Sequence, residues 1–497
     1  MLILNSSLRR KTTKMLSSVR CALAVALFLI MTPAVLSASR LTGGSRPNII
    51  LIFIDDLGWS DFSCFGNERT ETQNIDRLAR EGICFEQFYV NSPICSPSRV
   101  AISTGQYPAR WRITSYLSNR KANDDRGIAQ WLAPKAPMLA RFLKKAGYAT
   151  GHFGKWHMGG QRDVGEAPLI TEYGFDASLT NFEGLGPRVL PLKDAFDGNP
   201  PQKHALGSDR LGRGPITWQD RSLVTESFTS AALRFAKQAV AKGQPFYINV
   251  WPDDVHSPFF PPKALRGDGT KRTLYHGVLD KMDEQLGVLF DWVRNDKQLY
   301  GNTLILICSD NGPERGAGSA GPFRGFKTHL YEGGIRSPLI TWGPGLLEKS
   351  KAGSRNTTSI LAAIDLVPSL LKIADVSPKT NPEFDGVPLP DVVLGKSIAS
   401  RDRPLFFRRP PDRDAFYGVA DLPDLAVRSG KWKLLCEYDG SDPQLFDLAQ
   451  DRGEKTNIVD SHPEKADELT RMVVAWHKSM PADKGATFGK RKRKPNQ

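Results

Sequence analysis

The sequence predicts an α/β fold: a large, mostly parallel sheet flanked by helices, followed by a smaller C-terminal antiparallel sheet with a helix. Three observations carry that prediction. The runs 47–54 and 303–308 are continuously apolar and rich in β-formers, as central strands buried on both faces require. Strand-like and helix-like segments alternate between them. Past residue 380 the pattern changes to short strand-like pieces separated by turn residues.

The chain opens with a leader. Arg9, Arg10, Lys11, Lys14 and Arg20 precede the apolar run 22–31, and Thr32-Pro33 leads into small residues through Ser39. Basic, apolar and small-residue regions in that order mark an export signal, expected over 1–38. The apolar run is too short for a comfortable bilayer span. The expectation is a periplasmic or extracellular protein without an integral membrane span. The first strand, 47–54, stops at Asp55-Asp56-Leu57-Gly58. Helix-like segments at 74–81, 98–104 and 138–146 lead to a strand at 148–153, which Lys155 and His157 follow. Residues 160–220 are rich in Gly, Pro and charge, with little periodicity; they read as long loops over one face, where substrate selection tends to reside. A strand at 245–251 precedes His256. Val278, Met282, Leu286, Leu289 and Val293 put one apolar face on a helix over 273–293. The strand 303–308 then runs into Asp310-Asn311. Prolines punctuate 378–411, beyond which 424–429, 432–437 and 444–447 read as strands and 463–478 as a helix. The expected division is a catalytic domain over 46–385, an α+β subdomain over 400–480 and a disordered basic tail over 483–497.

The 497 residues carry a net charge of +14, concentrated at the two ends. The leader holds five of these charges and the run from Lys490 to Lys494 another five, leaving +4 for the body. A nucleic-acid surface is therefore not implied, and no nucleic-acid partner is expected. Five cysteines remain outside the leader, sparse, odd in number and without C-x-x-C spacing, so neither a disulfide framework nor a zinc site is indicated.

Polar residues of catalytic type lie just beyond four strands: Asp55 with Asp56, Lys155 with His157, His256, and Asp310 with Asn311. In an open α/β sheet ligands bind outside the carboxyl ends of the strands, so these ends converge on one crevice. A single carboxylate after a strand is an ordinary turn or cap; four sets together are not. Asp55, Asp56, Asp310 and Asn311 are hard oxygen donors, a set suited to Ca²⁺, with Mg²⁺ as the alternative, rather than to zinc. Cys95-Ser96-Pro97-Ser98-Arg99 opens a helix, with Pro97 in the first turn, where a missing N–H costs nothing. A helix N-terminus and the Arg99 charge both favour anions there. Cys95 on its own reads equally well as a small buried apolar residue.

The C-x-P-x-R segment, together with the Asp-Asp and Asp-Asn pairs, resembles the type I, formylglycine-dependent sulfatases of the alkaline phosphatase superfamily. The similarity runs from about Arg46 to about Lys478. Gly154-Lys155-Trp156-His157, His256-Ser257-Pro258, Gly325-Phe326-Lys327 and Tyr331-Glu332-Gly333-Gly334-Ile335-Arg336 extend it. Residues 138–157 and the C-terminal segment are nearest the N-acetylgalactosamine-6-sulfatase and arylsulfatase A branch. The resemblance implies an alkaline phosphatase-like fold and hydrolysis of a sulfate ester, with a sulfated sugar or polysaccharide as substrate. It implies that a formylglycine-generating enzyme oxidises Cys95 to Cα-formylglycine. It assigns the metal to Asp55, Asp56, residue 95, Asp310 and Asn311. It gives Arg99 and His157 the support of the aldehyde hydrate, Lys155 and Lys327 the sulfate oxygens, and His256 the protonation of the leaving group. In the implied chemistry one hydroxyl of the hydrate attacks sulfur, and loss of the proton from the other expels sulfate, a step closed to a serine.

Two other readings stay open. A phosphodiesterase or phosphatase of the same superfamily usually presents Ser or Thr beside a His-rich two-zinc shell, unlike Cys95 and an oxygen-only shell. A non-catalytic polyanion-binding protein would keep Cys95 as a thiol, but has no need of Lys155, His157, His256 and Lys327 together. His329 and Glu332 fall near the crevice by sequence, with a surface role as open as substrate contact. Trp156 reads as packing.

Overall fold

Alternate residues of the strand Asn48–Ile54 feed two different cores, which is why the run has no polar face. Ile49, Leu51 and Phe53 join the core under the helices Cys95–Thr104, Leu139–Lys145 and Ala363–Ile373. Ile50, Ile52 and Ile54 join the core under Gln73–Glu81, Val224–Ala241 and Lys271–Asn295. The result is a sheet between two helical layers. It is seen in a computed structural model that describes residues 46–194, 198–380, 382–409 and 422–484. The expected export leader lies outside the described residues.

The sheet has nine strands. Its main order is Ser354–Asn356, Ile83–Tyr89, Arg336–Trp342, Thr303–Ser309, Asn48–Ile54, Phe246–Trp251, Ala149–Gly154 and Ala177–Leu179. Leu361–Ala362 pairs beside Ile83–Tyr89. Asn48–Ile54 runs parallel to both neighbours, with Ile50 opposite Ile248 on one side and Ile305 on the other. Arg336–Trp342 is antiparallel to both of its neighbours, and the remaining pairings are parallel. The carboxyl ends of Thr303–Ser309, Asn48–Ile54, Phe246–Trp251 and Ala149–Gly154 lie along one edge, where Arg336–Trp342 begins.

Segment 160–220 corrects an expectation. It is not loop throughout: Arg188–Lys193, Gln202–Lys203 and Ile216–Asp220 form a three-stranded sheet of their own. These strands are short, and two of them are largely solvated, so no apolar alternation marks them in the sequence.

The C-terminal part matches its expectation, with one added strand. Leu405–Arg408, Leu425–Ser429, Trp432–Cys436 and Gln444–Asp447 form an antiparallel sheet. Val427, Leu434 and Leu445 pack under Leu469 and Val473 of the helix Pro463–Ser479. On the other face Phe407, Leu435 and Phe446 share a core with Tyr89 and Ile335 of the main body. The expected start of the tail also moves. Asp483 is buried, with Oδ1 accepting from Arg408 Nη2 at 2.5 Å. A carboxylate fixed by a buried guanidinium belongs to the fold, and the expected tail beyond Lys484 lies outside the described residues. No helix among the described residues is long and apolar enough to cross a membrane.

Candidate active site

Asp55 and Asp56 leave the end of Asn48–Ile54 and meet Asp310, which leaves the end of Thr303–Ser309. The parallel register of the two strands sets the meeting: Asp56 N–H donates to Asp310 Oδ1 at 3.1 Å, and Asp310 N–H to the Ile54 carbonyl at 3.0 Å. Asn311 Nδ2 donates to Asp56 Oδ1 at 2.8 Å. All four side chains are fully buried. Asp56 and, across the crevice, His157 hold positive φ values of 60° and 53°. For residues other than glycine that costs about 1–3 kcal/mol, which persists where a site requires it.

Three cations offset the three acids. Lys155 Nζ donates to Asp55 Oδ2 at 2.6 Å, and Lys327 Nζ to Asp56 Oδ2 at 2.6 Å. Arg99 Nη2 donates to Asp310 Oδ2 at 2.8 Å and stands 3.2 Å from Asp55 Oδ1. Its guanidinium lies over the rings of Phe53 and Trp251, at 5.7 and 5.3 Å from their centroids. Burial opposes the Asp55 carboxylate, yet Lys155, His256 and Arg99 hold its pKa well below the usual range. Asp310 goes the other way, pushed well up by burial and by Asp55 beside it. Burial disfavours the charged forms of Lys155 and Lys327, but Asp55 and Asp56 respectively outweigh it and raise both. Lys327 is far from the strand ends in sequence, but the antiparallel strand begins at this edge, so the segment that leads into it stays there. Gly312 permits the return, since a Cβ there would stand 1.9 Å from the Gly333 carbonyl oxygen.

Cys95 is the first residue of Cys95–Thr104, a helix whose every residue is buried. Its Sγ, a carboxylate oxygen of Asp55 and a ring nitrogen of His256 all lie within 4.8 Å of one another. Burial, and then the Asp55 charge, push the thiol pKa well up. A cysteine held neutral is a weak nucleophile and a weak metal ligand.

The histidines take up defined tautomers. His256 Nδ1 lies 2.8 Å from the Ser257 carbonyl. A carbonyl only accepts, so Nδ1 carries the hydrogen. Nε2 is the face toward the site, 3.6 Å from Asp56 Oδ2. His157 Nε2 lies 2.9 Å from the Leu117 carbonyl and 3.0 Å from Glu183 Oε2, both acceptors, and Nδ1 is buried without a partner. Burial lowers the pKa of each ring, aided at His256 by Lys327 and Lys155.

The residues present fit a metal ion. Carboxylate oxygens of Asp55, Asp56 and Asp310 lie within 4.8 Å of one another. Asp55 Oδ1 and Asn311 Oδ1 are buried without a hydrogen-bond partner. Orphaned buried oxygens beside a carboxylate cluster are what a hard cation satisfies.

A family model described as sulfatase matches residues 47–376, a span that includes every candidate site residue described above. The chain belongs to the sulfatase family. It is 31% identical to the N-acetylgalactosamine-6-sulfatase of Sus scrofa over 408 residues, covering 76% of this chain and 71% of that protein. It is 29% identical to arylsulfatase A of Bos taurus, covering 88% of each. The solved structure of Ps i-CgsB in complex with k-i-k-neocarrahexaose superposes with a TM-score of 0.71 at 25% identity, over 87% of this chain and 93% of that one. This sulfatase thus has the alkaline phosphatase-like architecture expected of it, and its enzymatic class is the hydrolysis of sulfate esters.

Every expected site residue lies at the same edge of the sheet. The lesser candidates take other partners. Trp156 is fully buried and packs against Tyr173 and His152. The His329 ring lies tilted against Phe326, 4.0 Å between centroids. Glu332 accepts from Tyr89 Oη at 2.6 Å, Arg336 Nη1 at 3.1 Å and Lys433 Nζ at 3.0 Å, which makes it an internal counter-charge. Sequence reasoning missed Glu183, because an acid within an aperiodic segment carries no signal of a partner.

Proposed function

We propose that this sulfatase removes sulfate from a sulfated carbohydrate, with residue 95 in the nucleophile position. The observation that carries the reading is the packing of Cys95 Sγ, an Asp55 oxygen and a His256 nitrogen within 4.8 Å, beside the three-carboxylate cluster. Asp55, Asp56, Asp310 and Asn311, with residue 95, would hold the divalent cation. The oxygen-only donors favour Ca²⁺, with Mg²⁺ as the alternative. The cation supplies a lowered hydroxyl pKa and a polarised ester, and oxidation of Cys95 to Cα-formylglycine supplies the hydroxyl.

The chain's own side chains do the rest. Lys155 and Lys327 present ammonium charge to the transferring group, and Arg99 fixes the carboxylates that face it. With Nδ1–H held by the Ser257 carbonyl, His256 turns Nε2 toward the site; the ring must first take up a second proton there, a form that Asp56 and Asp55 favour, and Nε2–H then donates to the departing alkoxide, a role worth about 10²–10⁴-fold. His157, held by Glu183, lines the nucleophile side. Carbohydrate is favoured as the leaving alcohol because the pig relative is named for a sulfated amino sugar and the Ps i-CgsB structure holds a neocarrahexaose. The leader over 1–38 supports export, and a formylglycine-generating enzyme is the maturation partner this reading requires.

The test is sulfate released from N-acetylgalactosamine 6-sulfate and from sulfated galactose oligosaccharides, with 4-nitrophenyl phosphate as the competing substrate. Peptide mass at residue 95 is read on the same sample. The reading predicts formylglycine there, preference for the sulfate esters, and no turnover by Cys95→Ser. An unmodified thiol in a fully active enzyme, or faster release of phosphate, would overturn it.

A further inference from the structure

Beside His256 the surface folds into a recess lined by Phe182, Lys193, His204, Arg221 and Asp253. The small three-stranded sheet builds its far wall. Lys193 ends the strand Arg188–Lys193. His204 follows Gln202–Lys203, with its N–H on the Pro191 carbonyl at 3.0 Å and its ring edge-on to Phe182, 5.4 Å between centroids. Arg221 follows Ile216–Asp220 and is committed to Asp253, with Nη1 2.9 Å from Oδ1 and Nη2 on the Asp253 carbonyl. The other Asp253 oxygen accepts from Asn181 Nδ2 at 2.7 Å. Lys193 has no ion-pair partner among the described residues. Among the described residues the recess therefore carries one unmatched positive charge, beside His256.

We infer that this recess binds a second anionic substituent of the sugar, a sulfate or a carboxylate, with Lys193 as its counter-charge and the His204 ring beside it. The inference rests on the sulfatase reading above and narrows its substrate class to esters bearing another anionic group. Lys193 is partly buried, and burial together with the Arg221 charge lowers its pKa. An anion in the recess relieves both. Burial and the charges of Lys193 and Arg221 hold His204 down to about 4, so its ring is neutral at working pH and offers one N–H donor. Asp253 does not cancel Lys193, because both of its oxygens are already taken.

The experiment measures kcat and KM of the mature enzyme and of Lys193→Ala and Lys193→Arg. The substrates are 4-nitrophenyl sulfate, N-acetylgalactosamine 6-sulfate, N-acetylgalactosamine 4,6-disulfate and a 6-sulfated chondroitin disaccharide carrying a uronate. The parent enzyme is expected to prefer one of the last two, which distinguishes sulfate from carboxylate as the bound group. In Lys193→Ala the kcat/KM ratio of that substrate to 4-nitrophenyl sulfate falls about 10-fold or more, through KM, as loss of a charge-assisted contact predicts. Lys193→Arg restores most of the ratio. A damaged fold lowers all substrates together and leaves the ratio in place, which counts against the inference. No preference for a second anionic group in the parent enzyme also overturns it, while activity on 4-nitrophenyl sulfate leaves the sulfatase reading standing. An enzyme inactive on every ester sinks both.

Discussion

Glu183→Gln tests whether the active-site histidine is held by charge. The Glu183 carboxylate is 3% exposed. It lies 3.0 Å from His157 Nε2 and 3.9 Å from Lys155 Nζ. Burial raises its pKa, but His157, Lys155 and Arg162 more than reverse that and hold it down to about 2. Against an ordinary value of 4.5, that depression corresponds to roughly 3 kcal/mol of stability while the His157 ring is protonated. Burial lowers the ring's own pKa, so at neutral pH it is uncharged and only its N–H, Lys155 and Arg162 sustain the carboxylate, for a smaller gain. A depressed carboxylate loses its contribution as pH falls through the folded value. The difference between parent and variant should therefore peak on the acid side of neutrality and shrink to roughly 2 kcal/mol by about pH 3.5. Equilibrium urea unfolding across that range measures it. The same substitution loosens His157, and turnover of 4-nitrophenyl sulfate should drop roughly 10–100-fold, as when a partner orienting a site ligand is removed. A cost below about 0.5 kcal/mol with kcat intact, or a cost independent of pH, would refute the electrostatic account.

Three further outcomes are expected. His256→Asn should lower kcat by about 10²–10⁴-fold on a sugar sulfate but less on 4-nitrophenyl sulfate, whose leaving group needs little protonation; equal losses on both would remove His256 from the proton-transfer role. Added Ca²⁺ should raise the melting temperature of the chelator-treated enzyme, and Asp55→Asn should abolish that shift, read by calorimetry without any activity assay. Lys433→Met strands the buried carboxylate of Glu454, 2.7 Å from the ammonium, and takes one of three partners from Glu332, 3.0 Å from it; it should cost about 3–5 kcal/mol. Burial, reinforced by Glu332 and opposed by Lys433, pushes Glu454 up to about 7; without the ammonium it takes up its proton at a still higher pH, so the loss should be larger above pH 7 than below it.

The sheet was legible where burial was complete. Asn48–Ile54 and Thr303–Ser309 are buried along their whole length, and a strand that touches no solvent leaves no polar residue to blur its ends. Ile83–Tyr89 and Arg336–Trp342 were not legible. The first carries Glu86 and Gln87 at partly exposed positions, and the second carries Pro338 at a register shift. The helix Val224–Ala241 was missed because its buried face is made largely of alanine and threonine, which contrast weakly with its polar face. Asp55, Asp56, Lys155, His157, His256, Asp310 and Asn311 were readable because each falls within a few residues of a strand end, where chemistry-bearing types stand out against apolar neighbours; Cys95, Arg99 and Lys327 lie farther from one and were read from the resemblance to sulfatases. Glu183, Arg221 and Asp253 were not readable. Their importance lies in which side chain each neutralises, and pairing across 32 residues between Arg221 and Asp253 has no period.

The single reversed strand of the sheet ties the C-terminal part to the chemistry. A purely parallel sheet would deliver to the crevice only residues that follow strands. Arg336–Trp342 begins where the others end, so the segment preceding it, which carries Lys327, crosses the same edge. That segment has little regular structure to hold it. Its backbone is fixed at Lys327 by the Pro313 carbonyl and at Thr328 by the Pro93 carbonyl, each through one hydrogen bond. Farther along, Glu332 N–H donates to Glu454 Oε2 at 2.6 Å, and the Glu332 carboxylate is anchored by Lys433 of the C-terminal sheet. Arg324 reaches the Glu454 carbonyl at 3.1 Å from the other side. The C-terminal sheet therefore braces the loop that carries Lys327, although it contributes none of the site residues itself. On this argument Lys433→Met should raise KM for the sulfate ester as well as lower stability. The KM change should persist at temperatures where the variant is fully folded, because the loop is released before the fold is lost.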